Sequence, residues 1–160
     1  FKVAKNTEHP FVVTAGELEV LVTGTTFGVR AYKDEKDIQT TLESGQVTVR
    51  VEGKSVKLVP NKQVLFNKST MGLEVRDVDV DLYLAWVDGR LVYDNCPLEK
   101  ILTDLGRWYN IDVFYSRDEL RSYQFSLNMK KHEEFTQVLE LIGKTGEVQF
   151  EIKDNTVIVK

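Results

Sequence analysis

Among the 160 residues, the side chains able to do chemistry are few and scattered. Two adjacent carboxylate pairs stand out, Asp118-Glu119 and Glu133-Glu134. The second opens a helical pattern, where anionic groups favour the positive end of the dipole, and the first falls in a connection. General acid–base catalysis needs a carboxyl group whose surroundings retune its proton affinity, and neither position offers one. Cys96 stands beside Pro97 at the start of another helical pattern, with no histidine near it in sequence. It reads as a small filler residue rather than a nucleophile. His9 and His132 are isolated, so with one thiol they give no metal-ligand spacing. No glycine-rich phosphate loop or nucleophile elbow is present, and no cofactor is expected.

Two local features keep chemistry open. At Gly24-Thr25 a hydroxyl follows a glycine, and such a threonine can attack the preceding carbonyl to give an ester that hydrolyses, provided the peptide is strained. The simpler reading is a tight turn at Gly24. Trp108-Tyr109 could form a sugar-stacking platform, although Trp108 falls on an apolar helical stripe that points to a core. With the surplus of acids, this pair motivates an alternative function, a carbohydrate-binding module or small glycan-directed enzyme. A hydrolase would need two carboxyl groups facing one cleft, about 5 to 10 Å apart.

The elements that would position these residues differ between the two halves. Val plus Thr number 23 in residues 1–79 and 12 in residues 80–160, so the first half reads as strand and the second as mixed. The expected domains are therefore an all-β domain over 1–79 and a βαββαββ domain over 80–160, joined through a short helix at about 80–88. In the first half Val47, Val49 and Val51 alternate with Thr48 and Arg50, the period of a strand with one buried and one wet face. Turns at Ala15-Gly16, Gly24, Ser44-Gly45, Gly53-Lys54 and Pro60-Asn61 punctuate similar runs, which suits a sandwich, roll or short solenoid.

In the second half, Leu98, Ile101, Leu102, Leu105 and Trp108 recur at helical spacing. Asn95 is the expected N-cap of this helix, Pro97 fits its first turn, and Asn110 ends it. Phe135, Val138, Leu139 and Ile142 form a second stripe, stopping near Gly143 and Gly146. Segments 111–115 and 123–127 read as strands, and 148–152 and 156–159 as a hairpin about Asp154-Asn155. The whole is an α+β protein in two domains, the second a split β-α-β arrangement with two helices on one face of a sheet. The formal charge of −4 opposes a phosphate-binding surface, so nucleic acid is not an expected partner. No run approaches the roughly 18 apolar residues of a membrane span.

At "VLVTGTTFGVRAY" and "TTLESGQVTVRVEGKSVKLVPNKQ" the chain resembles the FecR family of regulatory proteins. From "WVDGRLVYDNCPLEKILTDLGRWYNIDVFY" through "FEIKDNTVIV" it is similar to the C-terminal domain of Bacteroidetes-type members, a relative of the signalling domain of secretins and TonB-dependent transducers. Val22-Thr23-Gly24-Thr25 stands where the family commonly has leucine-glycine-threonine, and Asn61 where glycine is usual. The resemblance implies the periplasmic part of an inner-membrane-anchored anti-sigma regulator. Its implied partner is the periplasmic signalling domain of a TonB-dependent outer-membrane transporter. A sigma factor would be bound through a cytoplasmic segment that this sequence lacks. The resemblance implies a binding protein and not an enzyme, and it leaves self-cleavage at Gly24-Thr25 open beside the tight-turn reading, because some members cut at a glycine-threonine bond.

A small sheet with helices on one face leaves an edge for strand addition. The partner-binding residues expected on such edges are Val113, Tyr115, Gln124, Ser126, Gln149 and Thr156.

Overall fold

Alternating β-branched residues pair into hairpins through the first 77 residues of the computed structural model, which describes residues 1–130 and 135–160. The strands are β1 (Lys2–Val3), β2 (Phe11–Ala15), β3 (Leu18–Val22), β4 (Thr25–Arg30), β5 (Asp37–Ser44), β6 (Val47–Val51), β7 (Lys54–Leu58), β8 (Lys62–Asn67) and β9 (Gly72–Asp77). Successive hairpins go to alternate sheets: β2 and β3 join β6 and β7 in the order β2-β3-β6-β7, while β4, β5, β8 and β9 lie in the order β1-β4-β5-β8-β9. Every pairing in both sheets is antiparallel. Leu18, Val20, Val22, Val47, Val49 and Val51 of one sheet meet Phe27, Ile38, Leu42, Val64 and Phe66 of the other in one core. Of the three expected architectures, this is the sandwich.

Two positions show why the local sequence permits these turns. Asn61 takes a left-handed φ of 65°, which asparagine tolerates and glycine meets freely, and its N–H donates to the Leu42 carbonyl at 3.0 Å. Gly24 has φ 143°, and a Cβ there would lie 2.7 Å from Lys5 Cα, so a glycine lets the segment between β1 and β2 pass close beside the β3–β4 connection, where the Asn6 N–H donates to the Thr23 carbonyl at 2.8 Å.

Helix α1 (Val80–Leu84) lies on the outer face of the five-stranded sheet. Its seat is Gly28, where an added Cβ would sit 2.3 Å from Leu84 Cδ2. Beside it runs a polar chain. The Gln63 amide, fully buried, donates to Thr41 Oγ1 at 2.6 Å and accepts from Arg76 Nε at 2.9 Å, and Arg76 Nη2 donates to the Tyr83 hydroxyl at 3.0 Å. These contacts place α1 with the sandwich, in a compact unit Phe1–Leu84 that is followed by a second, Ala85–Lys160.

The second unit opens with a 3-10 turn at Ala85–Asp88, followed by β10 (Arg90–Pro97), α2 (Leu98–Tyr109), β11 (Asp112–Tyr115), a 3-10 turn at Asp118–Ser122 and β12 (Gln124–Lys130). Helix α3 (Phe135–Gly143) and the hairpin of β13 (Phe150–Lys153) and β14 (Thr156–Val159) complete it. The strands divide between two sheets, an antiparallel β10-β12 pair and a sheet in the order β11-β14-β13, in which β11 is parallel to β14. Both helical stripes enter one core: Leu98, Ile101, Leu102 and Leu105 of α2 and Val138, Leu139 and Ile142 of α3 are buried with Val157 and Val159.

One expected cap does not form. Asn95 lies inside β10 at a register shift, with φ 42°, and Pro97 occupies the N-cap of α2. The strand runs to Pro97 because the bulge keeps Cys96 and Pro97 paired with Phe125 and Gln124. Asn110 does end α2 in the left-handed conformation, and Asp154 turns the last hairpin with φ 51°. His132 and Glu133-Glu134 lie outside the described residues.

Candidate functional site

The side chains with chemical potential are spent on structure. Thr25 is buried, and its Oγ1 donates to the Gln46 carbonyl at 2.9 Å. A nucleophilic hydroxyl must give its proton to a base as it attacks, and this one gives its hydrogen bond to a neutral backbone carbonyl. Cys96 is partly buried against the core of the second unit, as are Trp108 and Tyr109, and the Tyr109 ring meets Phe135 at 5.9 Å. The two aromatics that could have formed a sugar platform are core-facing. Among the described residues, no group of three or more His, Cys, Asp and Glu is arranged to hold a metal ion. Asp104, buried on α2, is held by the Tyr93 hydroxyl at 3.0 Å and by Lys100 Nζ at 3.2 Å, with Arg107 at 3.6 Å.

What the second unit does leave open is backbone. Among the described residues, strand β11 is an edge strand, bonded to β14 alone. The Asp112 N–H donates to the Asn155 carbonyl at 2.8 Å and the Ser116 N–H to the Val159 carbonyl at 2.9 Å. In a parallel ladder a residue's N–H and C=O point to the same side, and sides alternate along the strand. Residues 112, 114 and 116 therefore face β14, while the N–H and C=O groups of Val113 and Tyr115 face outward. Tyr115 and Val113 turn their side chains to the core, and Phe114, between them, is 61% exposed on the opposite face.

Charge surrounds this margin. The Arg121 guanidinium lies 4.2 Å from the Tyr115 ring centroid and is itself paired with Asp118 at 2.6 Å and Glu99 at 2.9 Å. Burial pushes the Tyr115 hydroxyl up to about 12, against the opposing pull of the Arg121 charge. On the outer face of the same sheet, Glu151 is bonded by Lys153 at 2.9 Å and also by Lys160, and those two ammonium groups hold its carboxyl down at about 2.

The other residues expected on edges have different surroundings. Thr156 sits on β14, the central strand, flanked by Asp112 on one side and Lys153 on the other. The Gln149 backbone exchanges both hydrogen bonds with Lys160 at 2.9 Å. Ser126 is exposed on β12, but its hydroxyl donates to Asp94 at 3.0 Å and accepts from the Asn95 N–H at 2.8 Å, tying down the β10 bulge. The Gln124 side chain donates to the Ser122 carbonyl at 2.8 Å. The structure thus brings Val113 and Tyr115 together on the β11 margin. It puts Gln124 and Ser126 on β12, which among the described residues pairs with β10 alone, and puts Gln149 and Thr156 where the backbone is already paired. Sequence reasoning missed Phe114 and Arg121; alternation within β11 was the available signal for Phe114, while nothing local relates Arg121 to Tyr115.

A β-sandwich followed by a smaller unit with two helices and open sheets defines a two-unit α+β protein. Residues 90–159 match the family model described as FecR, C-terminal. Two crystal structures of candidate anti-sigma factors from Parabacteroides distasonis ATCC 8503, at 1.65 Å and 2.50 Å resolution, resemble the chain with TM-scores of 0.83 and 0.81. Each is 21% identical, and the match covers 99% of this chain and 74% of the other; at that identity the likeness is one of fold. No curated protein matches. The second unit is similar to the FecR C-terminal domain over residues 90–159.

Proposed function

We propose that this chain is the periplasmic portion of a membrane-anchored anti-sigma regulator whose second unit grips the signalling domain of a TonB-dependent outer-membrane transporter. The nutrient status of the transporter, an iron chelate or a glycan, is relayed to an extracytoplasmic-function sigma factor through a cytoplasmic segment outside this sequence. The observation that carries the reading is the open margin of β11. The outward backbone groups of Val113 and Tyr115 can take up a partner strand, and the exposed Phe114 ring gives that strand an apolar anchor. Backbone pairing supplies affinity, and the flanking side chains supply selectivity. No helix among the described residues is long and apolar enough to cross a membrane.

The test is calorimetric titration of the chain with the signalling domain of a transporter encoded beside it, repeated with Phe114→Lys. The exposed ring contributes nothing to the core, so the variant keeps its fold, checked by circular dichroism. Affinity falls by about tenfold or more if the ring anchors the partner. Unchanged affinity in a folded variant would remove β11 as the docking margin.

A further inference from the structure

The sandwich has its own unguarded edge. Proteins blunt edge strands with charge, proline or brevity, because an unpaired strand recruits others. Three of the four margins of the first unit follow that rule: β1 is two residues long, β7 carries Lys54 and Lys57, and β9 carries Glu74, Arg76 and Asp77. The fourth, β2, reads Phe-Val-Val-Thr-Ala, with no charge at all.

Its geometry specifies what it would accept. The two-residue connection Gly16-Glu17 makes Ala15 and Leu18 the closing hydrogen-bonded pair, so Phe11, Val13 and Ala15 bond to β3. The N–H and C=O groups of Val12 and Thr14 face outward and, among the described residues, no protein partner is recorded for them. Phe11 is 42% exposed although it shares a face with Val13 and Ala15, which pack on the core.

We propose that this edge pairs with the same edge of a second copy of the chain, antiparallel about a two-fold axis at Val13, so that two four-stranded sheets become one continuous sheet. The strand is self-complementary in that register. Val12 faces Thr14 of the second copy in a hydrogen-bonded pair, so every outward backbone group of β2 finds a partner. Val13 meets Val13 of the second copy, and Phe11 covers Ala15 of the second copy, a large ring opposite a small side chain on the core face. Beyond the strand, His9 comes opposite Glu17 of the second copy, so no like charges meet. A foreign strand would have to match this pattern by chance, whereas a second copy matches it by symmetry.

Sedimentation velocity of the 160-residue chain from low to high micromolar concentration tests this. A reversible dimer is expected. The double variants Val12→Lys/Thr14→Lys and Val12→Glu/Thr14→Glu each place like charges opposite one another, and each weakens association by about tenfold or more. Mixing the two restores a heterodimer, because lysine at 12 then faces glutamate at 14. In the unaltered chain, the Val12 and Thr14 amides gain hydrogen-exchange protection as concentration rises, a readout independent of whether the variants fold. A monomer at every concentration overturns the proposal. So does a dimer indifferent to the charges, a mixture that stays monomeric, or unprotected Val12 and Thr14 amides in the dimer.

Discussion

Replacing Gly28 by alanine tests how α1 is held to the sandwich. Gly28 lies in β4 without a left-handed φ, so alanine meets no backbone penalty there and the whole effect comes from space. Its Cβ would lie 2.3 Å from Leu84 Cδ2, more than 1 Å inside ordinary contact, so Leu84 must turn away or α1 must lift. Leu84 is buried, and leaving its seat forfeits much of the 1.5 to 3 kcal/mol that burying a leucine is worth, roughly. Gly28→Ala is therefore expected to destabilise the first unit by about 1 to 3 kcal/mol. In a Leu84→Ala background the clash is gone, and the same substitution should cost under about 0.5 kcal/mol, a coupling that a double-mutant cycle isolates. Urea unfolding followed by circular dichroism, with hydrogen exchange at Tyr83 and Leu84 to localise the change, measures it. Equal costs in both backgrounds would refute the Gly28 seat.

Two further expectations concern buried hydroxyls. Thr40 Oγ1 has no hydrogen-bond partner among the described residues although Thr40 is fully buried in the sandwich core, so Thr40→Val removes an unpaid desolvation cost and should raise stability by about 1 kcal/mol; a lower urea midpoint would show that the hydroxyl is used. Tyr115 keeps its proton to about 12 when folded, against 10.0 for an unperturbed tyrosine. Because the folded value is raised, its contribution is intact below pH 10 and is lost as the unfolded chain ionises first and pH climbs toward 12. Two units correspond to about 2.7 kcal/mol, which partial exposure reduces to about 1 kcal/mol. Denaturant unfolding on either side of that window should show a smaller alkaline loss in Tyr115→Phe than in the unaltered chain, and identical losses would contradict burial as the cause.

How much of this was legible in the sequence depends on how local each feature is. The stripes of α2 and α3 and the alternation of Val47, Val49 and Val51 are written in spacing, and those residues line the two cores. Asn110, Asp154 and Asn61 announce positive φ by residue type. The β10 bulge was not legible, because Asn95 is an acceptable cap by type and only its pairing to Ser126, far along the chain, makes it a strand residue. Strand order was equally hidden. Thr156 and Val113 both look like hairpin or edge positions, and only the insertion of β14 between β11 and β13 puts one at the centre and the other on the margin. The same non-locality made Gln149 look free when Lys160 occupies its backbone.

Hydrogen exchange of individual amides, with and without the transporter's signalling domain, tests the central claim most directly. Val113 and Tyr115 should exchange readily in the free chain and become protected in the complex, while Phe114, already bonded toward β14, changes little. A complex that forms with Val113 and Tyr115 still unprotected would contradict it.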